Sequence, residues 1–241
     1  MQIIIHIKNS EELSFPLSYN YQLSSAIYKL RSDDEELSTF FHDEGFFSGT
    51  GRHKLFTFSP LLGHHRIKNK KIIFDSGISF EVRSISDDFI KTLRDSAFKS
   101  GHIKLFSYDL EIGMIEVYDR HLYATEAVVR TVSPVAAAKN KDNKTVYYSP
   151  DDEEFLYTVN RSLYNRFNAA FGDEPPSILN IRLLCEPKKV VTRIKGLWVT
   201  AYHAQFALSA APEVMDFIYN TGIGSKTSQG FGMIEAGELE N

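Results

Sequence analysis

The sequence predicts an α+β protein of two domains set side by side, each combining antiparallel strands with helices. Three observations predict it. Short runs rich in β-branched and aromatic residues alternate with segments of helical apolar spacing along the whole chain. The two halves repeat that theme, and Ser32-Asp33-Asp34-Glu35-Glu36-Leu37 and Ser149-Pro150-Asp151-Asp152-Glu153-Glu154-Phe155 form a weak internal echo ahead of two helices. Hydrophobic residues make up 43% of the 241 and charged residues 24%, a balance that fills packed cores instead of leaving disordered chain. The join is expected near Tyr123–Thr125, giving domains 1–123 and 124–241. No Pro/Gly/Ser-rich linker marks it, so the halves should pack tightly.

In order along the first half, residues 2–8 read as a strand. A helix follows over about 20–32, with Leu23, Ala26, Ile27 and Leu30 as its apolar stripe. A second helix starts near Asp34, where an acidic first turn suits the helix dipole, turns Leu37, Phe40 and Phe41 inward, and stops at Glu44-Gly45. Strands are expected at about 54–62, 65–74 and 77–84. Ser86-Asp87-Asp88 caps a helix running to about Lys99, and a long extended stretch over about 102–120 closes the half. In the second half, strands at about 126–138 and 144–148 precede a helix over about 151–171. Extended segments at about 178–195 and 197–209 follow, then a short helix at about 212–221 and a last strand at about 230–237.

Composition narrows the function classes. A single cysteine, Cys185, excludes an internal disulfide and suits the reducing cytoplasm. The apolar start Met1-Gln2-Ile3-Ile4-Ile5-His6 is too short for a signal sequence, and no apolar run reaches membrane-spanning length, so neither secretion nor a membrane partner is expected. The net charge of −4 argues at first against a nucleic-acid partner. Its distribution argues back. From Phe46 to Phe74 there is no Asp or Glu, while Arg52, Lys54, Arg66, Lys68, Lys70 and Lys71 and three histidines fall there. Phosphate binding depends on the local field, not the total. A solvated basic hairpin would carry the same residues.

The most informative segment is Gly222-Ile223-Gly224-Ser225-Lys226-Thr227-Ser228-Gln229-Gly230-Phe231-Gly232. It lies near the C-terminus and has Thr at position 227, so it is not the dinucleotide fingerprint that opens a parallel unit. Lys226 follows Ser225, not Gly, so it is not a Walker loop. No nucleotide cofactor is expected. Glycines without Cβ let backbone N–H groups approach a phosphate chain, and Lys226 adds charge; a glycine-rich hairpin is the plainer alternative.

The same spacing, followed by a strand, resembles the C-terminal glycine-rich loop of the repeat-associated RNA-binding proteins of CRISPR systems. Within them, the chain resembles the endoribonuclease family that cuts precursor CRISPR RNA at its repeats. The likeness covers nearly the whole chain. It rests further on Tyr21-Gln22-Leu23-Ser24-Ser25-Ala26-Ile27-Tyr28, on Phe41-His42-Asp43-Glu44-Gly45-Phe46, and on Lys54-Leu55-Phe56-Thr57-Phe58-Ser59-Pro60. Thr131-Val132-Ser133-Pro134 and Gly172-Asp173-Glu174-Pro175-Pro176 match in the second half. The resemblance implies two tandem ferredoxin-like domains and RNA binding through Gly222, Gly224, Lys226, Gly230 and Gly232.

Helical geometry places two candidate side chains off the core. Tyr28 points roughly 150° from the stripe of the first helix, and His42 roughly 140° from that of the second, at its C-terminal end. A histidine there is ordinarily a cap favoured by the dipole. A tyrosine like Tyr28 is ordinarily a half-buried surface aromatic, and Lys54 alone would be a solvated lysine. The resemblance assigns them roles: cleaving members use a histidine, a tyrosine and a lysine at these places. His42 would transfer a proton, Tyr28 would partner it, and Lys54 would stabilise the charge that builds on phosphorus when the ribose 2′-OH attacks. His53, beside Lys54, is a second imidazole that would assist or replace His42 if its loop folds inward.

No metal is expected. His64 and His65 are adjacent, so a strand turns them to opposite faces, and neither an H-E-x-x-H nor a paired-cysteine pattern occurs. Further RNA contacts are expected at Arg52, Arg66, Lys68, Ser133, Lys139, Lys141, Lys188, Lys189 and Arg193. The aromatics include Tyr148, which could stack on bases, although most of the 12 tyrosines and 18 phenylalanines should serve the core and strands. The implied function is metal-independent cutting of precursor CRISPR RNA within its repeats, leaving 2′,3′-cyclic phosphate and 5′-OH ends. A non-catalytic RNA-binding subunit of a CRISPR interference complex is the alternative, and an unrelated tandem ferredoxin-like binder of small ligands or peptides is a third reading. Besides repeat RNA, interference-complex subunits and a second copy of the chain are the partners left open.

Overall fold

The computed structural model describes residues 1–30, 46–48, 51–142 and 144–237. The expected helix from Asp34 to Glu44, and His42 with it, lies outside the described residues.

In the first half, β1 (Gln2–Ile7), β5 (Phe56–Phe58), β8 (Ile78–Ser84) and β10 (Tyr108–Tyr118) form an antiparallel sheet in the order β5-β8-β1-β10, with β9 (His102–Leu105) beyond β10. Helix α1 (Asn20–Leu30) follows β1, and α2 (Asp87–Ser100) follows β8. This β-α-β-β-α-β succession with β1 beside β8 is the ferredoxin-like arrangement. Alternation decides which face is buried: Ile3, Ile5 and Ile7 point into the core against Val82, Phe80 and Ile78, while Ile4 and His6 stay half-buried. The helices cover that face with Leu23, Ile27, Phe89, Ile90 and Leu93. The expected cap of α2 is present: Ser86 Oγ accepts the Phe89 N–H at 3.2 Å, Asp87 and Asp88 fill the first turn, and left-handed Gly101 ends the helix.

The second half repeats the order. β11 (Glu126–Thr131), β14 (Asn180–Leu183), β17 (Gln205–Ser209) and β18 (Ile234–Ala236) form a sheet β14-β17-β11-β18, with α3 (Glu153–Phe171) and α4 (Pro212–Thr221) as its helices. Val129, Phe155, Val159, Phe206, Phe217 and Ile218 fill this core, and Leu55 from the first half joins them. Two hairpins are inserted: β12 (Ala137–Lys141) with β13 (Lys144–Tyr148), and β15 (Lys188–Ile194) with β16 (Leu197–His203). In the first half, β2 (Leu13–Pro16), β7 (Lys71–Phe74) and β6 (His65–Lys68) form a side sheet, and β3 (Phe46–Ser48) pairs with β4 (Gly51–His53). No described helix is long and apolar enough to cross a membrane.

Several expected strands are corrected into pairs. The run 65–74 turns back at Asn69 and Lys70, both with positive φ, and 102–120 turns back at Phe106. The run 126–138 is two strands because the Ser133 N–H and hydroxyl bond to Met233 and Pro134 has no N–H to give a ladder. The run 178–195 breaks between Leu183 and Lys188, around Pro187, and 197–209 divides at Ala204. The last strand begins only at Ile234, because residues 230–233 belong to the glycine-rich loop.

That loop locks the halves together. Asn20 donates to the Gly230 carbonyl (3.2 Å), Ser24 to Ser228 (2.9 Å), Thr57 to Phe231 (3.3 Å) and Arg83 to Ile234 (2.8 Å). Fully buried Phe231 sits among Ala136, Ile194, Val199 and Ala201.

Candidate active site and nucleic-acid interface

A cleft runs between the two halves. The turn spacing of α1 puts Tyr21, Ser24, Ser25 and Tyr28 along its wall. Opposite stand Ser162 and Arg166 of α3, and the glycine-rich loop contributes Gly224 and Lys226 through Gln229. His53 and Lys54, at the end of β4, complete a cavity of about 430 Å³. His53 and Ser162 also line a neighbouring cavity of about 280 Å³, with Lys139, Asn140 and Arg161. Lys54, Arg166, Lys195 and Lys226 face the first and Lys139 and Arg161 the second, and no described carboxylate lines either. A recess whose described charged side chains are all cationic concentrates a phosphate-bearing ligand.

Tyr28 and Lys54 meet in it. The Lys54 Nζ lies 4.4 Å from the centre of the Tyr28 ring, a cation–π approach, and that ring packs edge-on against Phe56 at 5.5 Å. His53 stands next in sequence. Burial, with the Arg166 charge adding to it, holds its imidazole below the ordinary histidine range, so it is neutral at pH 7. Its Nε2 is buried and makes no hydrogen bond among the described residues. Burial also lowers the Lys226 ammonium. Arg166 is 5% exposed and burial brings it down to about 10, which leaves it cationic. It donates to the Thr221 carbonyl (2.9 Å) and hydroxyl (3.0 Å) and to the Gly222 carbonyl (2.9 Å). These are the carbonyls that the C-terminus of α4 leaves without helical partners.

The loop's glycines need a correction. Gly222, Gly230 and Gly232 are buried, and their N–H groups are engaged by the carbonyls of Ile218, Thr227 and Pro134. They are not an open phosphate cradle. Gly232, at φ 74°, is required because a Cβ would strike the Ile223 carbonyl oxygen. Gly224, at φ 80°, does line the cavity, and a Cβ there would come within 2.6 Å of the Ala136 carbonyl. The loop therefore presents Gly224 and the stretch from Lys226 to Gln229.

Other expected contacts divide. Lys139 lines the second cavity, paired with Glu154 at 3.1 Å. Ser133 is corrected: it is 0% exposed, and its hydroxyl accepts the Met233 N–H at 2.9 Å, so it fastens the loop instead of facing RNA. Arg66 is bound to Glu12 and Asp75 in the side sheet, and Lys68 is exposed on β6; neither lines the cleft. Arg52 lies in β4 opposite Phe47. Lys188 and Arg193 are exposed on β15. His64 pairs with Asp75, and His65 bonds the Gly63 carbonyl. Sequence reasoning missed Ser162, Arg161, Lys195 and above all Arg166. Arg166 had a signal: it continues the spacing of Phe155, Val159 and Leu163, an arginine on a buried helix face.

Comparison with known proteins gives the following. Residues 118–236 match the family model of CRISPR associated protein Cas6, C-terminal. The chain is similar to the CRISPR-associated endoribonuclease Cas6 of Pyrococcus furiosus, at 25% identity over 95% of this chain and 87% of that protein. It is also similar to the CRISPR-associated endoribonuclease-like protein Cas6nc of Pyrococcus horikoshii, at 23% identity over 91% of this chain and 92% of that one. A solved structure of a Cas6-related gene product from Pyrococcus furiosus shares the fold, with a TM-score of 0.85 and 23% identity over 100% of this chain and 99% of that one.

Proposed function

The chain belongs to the Cas6 family of CRISPR-associated endoribonucleases, and from that premise we propose that it cuts precursor CRISPR RNA within its repeats, without a metal, in the cytoplasm. The observation that carries the reading is the cleft, where Tyr28, Lys54 and the glycine-rich loop line one cavity whose described charged side chains are Lys54, Arg166, Lys195 and Lys226.

The reaction is an in-line transesterification. The ribose 2′-OH loses its proton to a base, its oxygen bonds to phosphorus, and the bond from phosphorus to the 5′-oxygen breaks as an acid protonates that oxygen. The products are a 2′,3′-cyclic phosphate and a 5′-OH. His42 is the proton-transfer group, with Tyr28 as its partner. Lys54, held against the Tyr28 ring, neutralises the phosphorane oxygens. His53 is the neutral imidazole standing by in the same cavity. Lys226, Lys195, Lys139 and Arg161 draw the flanking phosphates into the cleft.

The test uses the repeat from the neighbouring CRISPR array. A single cut within the repeat, with a cyclic phosphate on one product and a 5′-OH on the other, is expected. Tight, salt-sensitive binding without any cut would favour the non-catalytic subunit of an interference complex.

A further inference from the structure

The β15–β16 hairpin leaves a large aromatic surface in solvent beside the cleft. Its tip is a two-residue turn, Lys195-Gly196, with φ of 47° and 83°, the positive pair that a tight hairpin of this kind requires. Strand alternation divides its side chains. Ile194, Val199 and Ala201 point inward and are buried. Lys189, Val191, Arg193 and Trp198 share the outer face, with Arg193 directly across from Trp198. Trp198 is 65% exposed. Nothing in folding calls for an indole there, since the inner face already anchors the hairpin and Val135 pairs with Tyr202 at its base.

Three observations say what would cover the ring. The Arg193 guanidinium carbon lies over the ring, 5.7 Å from its centre, and its Nε donates to the Gly196 carbonyl at 3.0 Å, which fixes a cation on one side of the ring and leaves the other side for a base. From Pro187 to Pro212 there is no Asp or Glu, while Lys188, Lys189, Arg193 and Lys195 fall there, so the hairpin offers an anion no repulsion of its own. The tip is also continuous with the cleft: Lys195 lines the cavity that holds Tyr28 and Lys54, and its Nζ lies 5.2 Å from the Tyr21 ring on α1. A chain with one phosphate per base, leaving the cavity past Lys195, brings its next flat apolar ring over Trp198 and its phosphates over the flanking cations.

We infer that the outer face of this hairpin is a stacking site for an unpaired RNA base, with Trp198 as the platform and Arg193 and Lys195 as its phosphate contacts. This rests on the RNA-cutting reading of the cleft and extends it to a nucleotide outside the cavity.

Trp198 is the only tryptophan in the chain, so its emission reports on the site directly. The probe is single-stranded repeat RNA made resistant by a 2′-deoxy substitution at the cut site, with binding followed independently by the anisotropy of a dye on the RNA. Saturation is expected to quench the indole emission. Trp198→Ala should weaken binding about ten-fold, and Trp198→Tyr should restore most of it. Circular dichroism confirms that the variants are folded. Anisotropy that reports binding while the emission stays unchanged overturns the stacking site alone, as does wild-type affinity in Trp198→Ala. Absence of any RNA binding overturns the cleft reading and the stacking site with it. Emission that changes with protein concentration before RNA is added, and a loss of dimer in Trp198→Ala, would assign the surface to a second copy and overturn the base site.

Discussion

Lys54→Ala is expected to slow single-turnover cleavage of repeat RNA by about a hundred- to a thousand-fold, the usual loss when one preorganised charge is removed from a transition state. In-line attack adds negative charge to oxygens already charged in the ground state, so a fixed cation contributes most at the top of the barrier. Lys54 is placed for that role by its position on the cavity wall, with its Nζ 4.4 Å from the centre of the Tyr28 ring. The readout is the rate at saturating protein, measured separately from affinity, because a lysine that only held phosphate would change Kd and spare the rate. A rate within about threefold of wild type would remove Lys54 from the chemistry. In the same assay His42→Ala should cost about a hundred- to ten-thousand-fold. If His42→Ala keeps the rate and His53→Ala loses it, proton transfer belongs to His53, whose neutral imidazole stands beside Lys54.

Arg166→Met should lower the melting temperature by about 5–15 °C, from roughly 2–4 kcal/mol of lost stability in a chain of this length. The side chain is nearly fully buried, and burial alone accounts for its lowered pKa. What offsets that cost is its position at the negative end of α4, where its guanidinium serves the Thr221 and Gly222 carbonyls. Methionine fills the space but leaves those carbonyls unpaired and releases the root of the glycine-rich loop. Arg166→Lys should recover only part of the loss, because an ammonium cannot fork to both carbonyls. A melting temperature within about 1 °C of wild type for Arg166→Met would show that the loop is held by its other bonds.

The regular parts of the fold were legible where local chemistry decided them. Ser86 with Asp87 and Asp88 marks the start of α2, and the spacing of Leu23, Ala26, Ile27 and Leu30 gives the buried face of α1, whereas Tyr28, expected well off that face, packs partly against the core and Phe56 while lining the cleft. The hairpins were not legible. Their turns place Lys70, Phe106 and Lys195 at positive φ, a backbone state that these residue types do not announce, and beside them only Asn69 and Gly196 favour it. Ser133 looked like a surface contact because its role depends on Met233, a hundred residues away. The glycine-rich segment stands out in the sequence, but the reason for most of its glycines is structural and not visible there. Gly222 and Gly230 are hemmed in by Thr57, Asn20 and Phe58 of the other half and Gly232 by Ile223 of the same loop, and the face the loop gives the cleft is Gly224 with the residues from Lys226 to Gln229.

The most direct test of the central claim is cleavage of the cognate repeat in EDTA, with ribose or 2′-deoxyribose at the cut site. The ribose substrate should be cut at its full rate and the deoxy substrate should bind as tightly and remain intact. Cutting of the deoxy substrate, or loss of activity in EDTA, would contradict a metal-free attack by the 2′-OH.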